Sequence, residues 1–183
     1  METYSMKHQK YYGIALEVSK YLRARDYVTD IFKGAVYTYN RTENPNLELP
    51  AIFIYYDRIS PNGMTGSYST GTLRVEIVRN TATQNRGDIF DFTAGIGELI
   101  FNDLVVNKVF RHKLLTKFPY IGMFGERSQI DFVEGRNSTV ISIAVYTSQV
   151  EYQRYLRSIP YNTTNATEVE TIKIKELKIT WKP

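Results

Sequence analysis

The stretch AIFIYYDR, at residues 51–58, decides the fold class of this chain. Its β-branched and aromatic side chains predict a strand. Both parities are apolar, with Ile52 and Ile54 on one side and Phe53 and Tyr55 on the other. A continuous apolar run of this length is typical of a strand that is covered on both faces. We therefore expect residues 51–58 at the centre of a sheet.

Further strands are predicted on both sides of this stretch. Residues 35–39 precede it, and residues 72–79 follow it with Leu73, Val75 and Ile77 alternating against charged positions. This alternation indicates one buried and one polar face. Residues 129–134 and 138–147 predict a hairpin joined at Gly135, and residues 169–181 predict a terminal strand with a bulge near Lys175.

The segment SPNGMTGSYSTG, at residues 60–71, is dense in turn-forming residues. Pro61, the Asn62-Gly63 pair, Gly66 and Gly71 all favour turns. We interpret this segment as a long, mobile, glycine-rich hairpin arm. Gly66 and Gly71, five residues apart, also resemble the glycines of a phosphate-binding loop, but Thr72 stands where such a loop has lysine.

An amphipathic helix is predicted over residues 5–25, with Ser5 as its cap. Its apolar side chains follow helical spacing, at Tyr11, Ile14, Ala15, Val18, Tyr21 and Leu22.

A second helix is predicted over residues 88–106, with Asp88 at the N-cap position. We expect it to pack on the sheet through Phe92, Ile96 and Leu99. Glycine weakens a helix by up to about 1 kcal/mol relative to alanine. Gly95 and Gly97 therefore indicate a close backbone approach at one of the two positions.

Three segments give weaker patterns. Residues 107–127 are interpreted as a loose connection, and residues 162–167 as an exposed loop. Residues 150–159 could continue a strand or form a short helix, and we favour the helix. The order of elements has no βαβ rhythm.

Taken together, the pattern predicts a single α+β domain spanning residues 1–183, with a mainly antiparallel sheet that carries two principal helices on one face. Residues 60–71 form the extended arm, and residues 160–183 form a C-terminal strand extension.

The composition excludes several kinds of chemistry. The chain of 183 residues has no cysteine and two histidines, His8 and His112, which excludes disulfides and cysteine-type zinc sites. The net charge is +4, with the cations spread along the chain rather than concentrated in one run. We expect no catalytic residues, no metal and no cofactor.

An enzyme remains the alternative. Glu176 and Lys178 form an E-x-K pattern, which Asp131 or Asp57 could approach across a sheet, as in a Mg²⁺-dependent nuclease. A nucleic-acid-binding protein is the other alternative, because exposed tyrosines can stack on bases. The tyrosines considered for stacking are Tyr55, Tyr56, Tyr68, Tyr146, Tyr152 and Tyr155.

The layout of the chain resembles a known family. An N-terminal amphipathic helix is followed by LPAIFIYYD (49–57), the glycine-rich arm, GTLRVEIV (71–78) and the helix opening DIFDFTAGIGELI (88–100). This order is similar to that of the tail-terminator and neck-ring (head–tail completion) proteins of tailed bacteriophages. The resemblance is one of pattern, and residues 50–100 carry it best.

The resemblance implies a structural virion protein, not an enzyme. Its subunits would form a homo-oligomeric ring, a hexamer or dodecamer, that contacts other neck and tail proteins and lets DNA pass non-specifically through its lumen. The protein would be assembled in the host cytoplasm and would not contact a membrane. The expected subunit-contact residues are Asn62, Gly63, Met64, Thr65, Tyr68, Phe118, Tyr120, Met123 and Phe124.

Overall fold

The computed structural model describes residues 9–39, 49–62, 67–79, 86–133 and 138–159. Within these residues the chain is α+β, with five α-helices, a short π-helical turn and a five-stranded mixed sheet. The elements are α1 (Gln9–Arg23), α2 (Asp26–Phe32), β1 (Val36–Tyr37), β2 (Ala51–Asn62), β3 (Tyr68–Val78), α3 (Arg86–Phe101), the π-helical turn (Asn102–Val106), α4 (Lys108–Lys117), β4 (Ile121–Val133), β5 (Ser138–Ser148) and α5 (Gln149–Ser158).

The sheet has the strand order β1-β2-β3-β5-β4. β1 joins β2 in parallel, whereas β2–β3, β3–β5 and β4–β5 are antiparallel pairs. The predicted hairpin over the last two strands is confirmed. The predicted strand at 169–181, like the rest of the proposed extension at 160–183, lies outside the described residues.

The prediction that this stretch is covered on both faces is confirmed, because residues 51–55 are all buried, but the middle strand of the sheet is β3, and β2 lies between β3 and the two-residue β1. Ile52 and Ile54 belong to the main core, which also contains side chains of the helices. Phe53 and Tyr55 lie in a second cluster on the other face, beside Val78. The two parities of β2 therefore serve two different apolar clusters.

The predicted polar face of β3 differs from expectation at Glu76. Its side chain is completely buried and accepts hydrogen bonds from the hydroxyls of Tyr55 (3.2 Å) and Ser138 (2.8 Å). A buried carboxylate needs such donors, because burial without them would be costly. Over part of β3, therefore, both faces of the strand are packed, whereas the alternation at 72–79 predicted one packed and one solvated face.

The predicted arm at 60–71 begins and ends in regular strand. Ser60 pairs with Thr70, Pro61 with Ser69 and Asn62 with Tyr68, so β3 starts four residues earlier than expected. Gly63 and the rest of 63–66 lie outside the described residues.

The prediction of a loose connection at 107–127 is wrong. Residues 108–117 form α4, and β4 begins at Ile121. The side chain of Asn107 caps α4 by accepting a hydrogen bond from the Val109 backbone N–H (3.0 Å). Phe110 and Leu114, four residues apart, are the buried side chains that hold this helix on the core. The short helix favoured for 150–159 is confirmed as α5.

Helix α3 packs through a different stripe from the one expected. Ile96 is buried as predicted and Phe92 is partly buried, but the prediction for Leu99 is wrong, since its side chain is 46% exposed. The buried stripe instead includes Ile89, Thr93 and Ile100. Thr93 belongs to it because its hydroxyl donates to the Ile89 carbonyl (2.8 Å) and accepts from Thr139 (2.9 Å).

The two glycines of α3 differ, and alanine substitution should separate them. A Cβ at Gly97 would lie 2.9 Å from the Thr139 methyl, whereas a Cβ at Gly95 would meet nothing within 4 Å. Overpacking costs typically about 1–3 kcal/mol, and an unhindered Gly→Ala change stabilises by about 0.4–1 kcal/mol. We expect Gly97→Ala to melt below the parent and Gly95→Ala above it, in thermal melts followed by circular dichroism. Two variants that both melt higher would contradict the close approach at Gly97.

Candidate functional site: surfaces for subunit contact

The structure describes only some of the contact residues that are predicted in the hairpin. Tyr68 is 61% exposed at the start of β3, opposite Asn62 on β2 and Ser148 on β5. Gly63, Met64 and Thr65 lie outside the described residues. Tyr68 is therefore the predicted contact residue that the described part of the hairpin presents to solvent.

The second group of predicted contact residues does not form an exposed surface. Phe118, Tyr120 and Phe124 are buried in the core, and Met123 is partly buried. Tyr120 packs edge-on against Tyr152 of α5, with ring centroids 4.9 Å apart. The apolar character that suggested a contact surface is accounted for by packing within the chain, because α4 and α5 cover this segment.

A buried polar cluster anchors the hairpin to α1. The Lys10 amine donates to the Ser69 hydroxyl (2.9 Å) and to the Gln149 side-chain oxygen (3.1 Å). The hydroxyls of Tyr11, Ser69 and Thr147 form a closed triangle, with oxygen–oxygen distances of 2.7, 3.0 and 2.9 Å. The cluster joins α1 to β3 and β5 directly beside Tyr68, and it holds the loop end of the β2–β3 hairpin in place.

The electrostatics of this cluster are those of a buried cation. Lys10 is 5% exposed, and burial lowers the pKa of its amine. No carboxylate of the described residues forms an ion pair with it. Burial also raises the pKa of the Tyr11 phenol, although its hydrogen bonds with Ser69 and Thr147 act in the opposite direction. A lysine beside a serine hydroxyl can activate a nucleophile, but here Ser69 is itself buried and engaged within the cluster.

A groove between α1 and α4 is the second notable surface. It has a volume of about 220 Å³. The α4 residues of the lining recur at i, i+3, i+4 and i+7, and those of α1 at i, i+3 and i+4, so each set lies on one helical face. The lining residues are Glu17, Lys20 and Tyr21 from α1, Ala24 directly after its end, and Phe110, Lys113, Leu114 and Lys117 from α4.

The groove has an apolar floor and a cationic rim. The rings of Tyr21 and Phe110 are 4.3 Å apart between centroids at its base. Glu17, 16% exposed, bridges Lys117 (2.6 Å) and Lys20 (3.4 Å). Burial alone would raise the pKa of the Glu17 carboxyl, but hydrogen bonds and charge from the two lysines outweigh burial and lower it. Three lysines against one carboxylate leave the groove positive.

Sequence reasoning missed this groove. The signal was present, since Phe110, Lys113, Leu114 and Lys117 share one helical face. It was not recognised because residues 107–127 were interpreted as a loop. The ten residues of α4 carry four Lys or Arg and no acidic residue, which makes α4 a local concentration of cations.

The nuclease alternative gains no geometric support from the described carboxylates. Asp57 on β2 is paired with Arg74 (2.8 Å), and Asp131 on β4 accepts from the Gln129 amide (2.8 Å). β3 and β5 lie between these strands, so the two strands are about 14 Å apart at the usual strand spacing, and the two residues are also offset along them. Glu176 and Lys178 lie outside the described residues. In the described ranges no group of three or more acidic or histidine side chains could hold a metal ion.

The tyrosines considered for base stacking are distributed between core and surface. Tyr55 and Tyr152 are buried, and Tyr56, Tyr146 and Tyr155 are partly buried. Of this set, Tyr68 is the one that is largely exposed. A stacking platform needs several exposed rings in succession, and the described tyrosines do not provide one.

The comparisons with known proteins add no relative. No protein-family model matches the chain, and a search of curated proteins returned no match. Among the described residues, no helix is long and apolar enough to cross a membrane.

Proposed function

We propose that this chain is the subunit of a homo-oligomeric ring at the head–tail junction of a tailed bacteriophage, in a neck or tail-terminator position. The ring joins the capsid connector to the tail, contacts other neck and tail proteins, and lets DNA pass through its lumen. Its role is structural and needs no catalytic residues. The protein resides in the virion after assembly in the host cytoplasm.

The observation that carries this proposal is the end of the β2–β3 hairpin. It presents an exposed tyrosine, Tyr68, and the adjacent Ser69 is held in place by the cluster of Lys10, Tyr11, Ser69 and Thr147. Tyrosine is enriched at the centre of protein interfaces, because it has a large apolar ring and a polar tip. In this proposal residues 60–71 are the arm that reaches a neighbouring subunit, and the two principal helices, α1 and α3, cover one face of the sheet.

A nucleic-acid-binding protein is the second candidate, and the cationic helix α4 favours it. Lysines and arginines on one helix can track phosphates, and their binding weakens as salt increases. Salt-dependent DNA binding by a monomer would support this candidate. Mg²⁺-dependent DNA cleavage would support the nuclease.

Truncation of Tyr68 tests the role of the hairpin. We expect Tyr68→Ser to weaken self-association by roughly 30-fold, corresponding to about 2 kcal/mol for a central interface residue. The thermal stability of the subunit should change little, because Tyr68 is exposed. Sedimentation velocity over a concentration series measures the association.

Tyr12→Ser is the matched control, since Tyr12 has a similar exposure, 55%, but lies on α1. Equal association of the parent and Tyr68→Ser would contradict a contact through the hairpin.

A further inference from the structure

The exposed side of α3 is acidic and partly apolar. Asp91 and Glu98 are seven residues apart, about 10 Å along one face of the helix. Gly95 lies between them with open space around it, and the exposed Leu99 lies beside Glu98. No cation of the described residues forms an ion pair with Asp91 or Glu98. We call this surface the acidic face of α3.

The acidic face and the α1–α4 groove are complementary in two properties. The groove has Lys20, Lys113 and Lys117 at its rim, and α3 presents carboxylates. The floor of the groove is apolar, and Leu99 is an exposed apolar side chain beside Glu98. A cavity of roughly 150 Å³ lined by apolar side chains admits a molecule of benzene, so a groove of about 220 Å³ has room for a leucine side chain.

We propose that the acidic face of α3 in one copy of the chain docks into the α1–α4 groove of the next copy. Leu99 enters the apolar floor, and Glu98 and Asp91 meet the lysines at the rim. This inference rests on the proposed ring, and it identifies the surfaces that make the ring.

Two different surfaces on each copy are what a ring requires. A contact between unlike patches leaves one patch of each kind free at the ends of every small assembly. Such a contact propagates from copy to copy, and it closes when the rotation per step completes a turn. Complementary charges also favour the correct partner and speed its association.

A second copy explains more of the groove than a nucleic acid does. Phosphates would use the lysines but would leave the apolar floor of Tyr21, Phe110 and Leu114 uncovered. A protein surface that carries both carboxylates and a leucine uses the rim and the floor together.

Charge reversal tests the docking. Glu98→Lys and Lys113→Glu should each weaken self-association by roughly tenfold or more, because like charges then face each other. The double variant Glu98→Lys/Lys113→Glu should associate more tightly than either single variant, because the complementary pair is restored with its signs exchanged. Sedimentation velocity measures association, and circular dichroism melts verify that each variant is folded.

The matched controls make the same charge changes elsewhere. Lys108→Glu lies on α4, five residues before Lys113 and about 140° around the helix, and Asp30→Lys lies on the exposed side of α2. Both should associate as the parent does.

The outcomes separate the docking from the ring itself. Rings that persist in both single variants would overturn the docking and leave the ring function standing. A parent that is monomeric at every concentration would overturn both. If Lys113→Glu weakens binding of a DNA duplex more than Lys108→Glu does, while self-association is unchanged, then the groove is a phosphate-binding surface and the docking is wrong.

Discussion

Replacement of Gly71 by alanine is expected to lower the melting temperature by about 5–10 °C. A Cβ at this position would lie 2.6 Å from the Tyr11 ring and 3.0 Å from the Tyr56 ring. Overpacking costs typically about 1–3 kcal/mol, and contact with two packed rings places Gly71→Ala at the upper end. For a chain of this size each kcal/mol corresponds to about 2–4 °C. Chemical denaturation and thermal melts measure the loss.

The cause of this loss can be isolated with a second substitution. In a Tyr11→Leu background the closest clash is removed, so Gly71→Ala should cost less there than in the parent. This double-mutant cycle distinguishes steric conflict from a general effect of alanine in the strand. If Gly71→Ala is as stable as the parent, the packing of α1 against the start of β3 is not as described.

The free energy of unfolding is expected to fall steeply as the pH rises above 10. Burial raises the pKa of five described phenols, those of Tyr11, Tyr27, Tyr56, Tyr120 and Tyr152. The unfolded chain loses these protons near pH 10, whereas the folded chain retains them. Their contribution to stability is therefore complete below pH 10 and is lost as the pH rises towards the folded-state pKa values.

The size of this effect follows from the most strongly shielded phenols. Each such group removes about 1.4 kcal/mol per pH unit above its unfolded pKa. Tyr56 and Tyr120 together should remove about 3 kcal/mol by pH 11. Burial lowers the pKa of the Lys10 amine, and the effect of this group on stability has the opposite sign. Lys10 alone makes the free energy of unfolding rise with pH until about 10.5. Above pH 10.5 the phenols dominate.

Denaturation midpoints between pH 9 and 11.5, with phenol ionisation followed by absorbance, measure this dependence. Tyr56→Phe should reduce the slope by about one proton above pH 10. A slope that is the same in the parent and in Tyr56→Phe would contradict the shielding of the Tyr56 phenol.

Sequence patterns predicted the elements that bury side chains in a regular way. The run at 51–55 has apolar side chains on both parities, and this directly reports a strand covered on both faces. The hairpin of β4 and β5 was predicted for the same reason. The α+β class follows from these elements and the two long amphipathic helices.

The failures have identifiable physical causes. α4 was missed because it carries four cations around two buried anchors, Phe110 and Leu114, so its apolar face is narrow. Once α4 was interpreted as a loop, Phe118, Tyr120 and Phe124 were interpreted as contact residues, although tertiary packing buries them.

The periodicity of the sequence does not report contacts between residues that are far apart along the chain. Lys10 has the sequence signature of a surface lysine, and its burial depends on Ser69 and Gln149, which lie 59 and 139 residues away. Gly71 was interpreted as a turn residue, yet it lies in regular strand opposite Ile59, and Tyr11 and Tyr56 occupy the space that a side chain would need. Tyr68 lies among turn-forming residues in the sequence and its side chain is exposed, while its role in subunit contact stays a prediction.

The central claim is that several copies of this chain form a closed ring. Measuring the mass of the purified protein in solution and imaging the same sample tests this claim most directly. Light scattering should give a mass near six or twelve times that of the 21.2 kDa chain at raised concentration. Negative-stain images of the same sample should show closed rings with an open lumen. A mass that stays at one chain across the concentration series, with no ring in the images, would contradict the account.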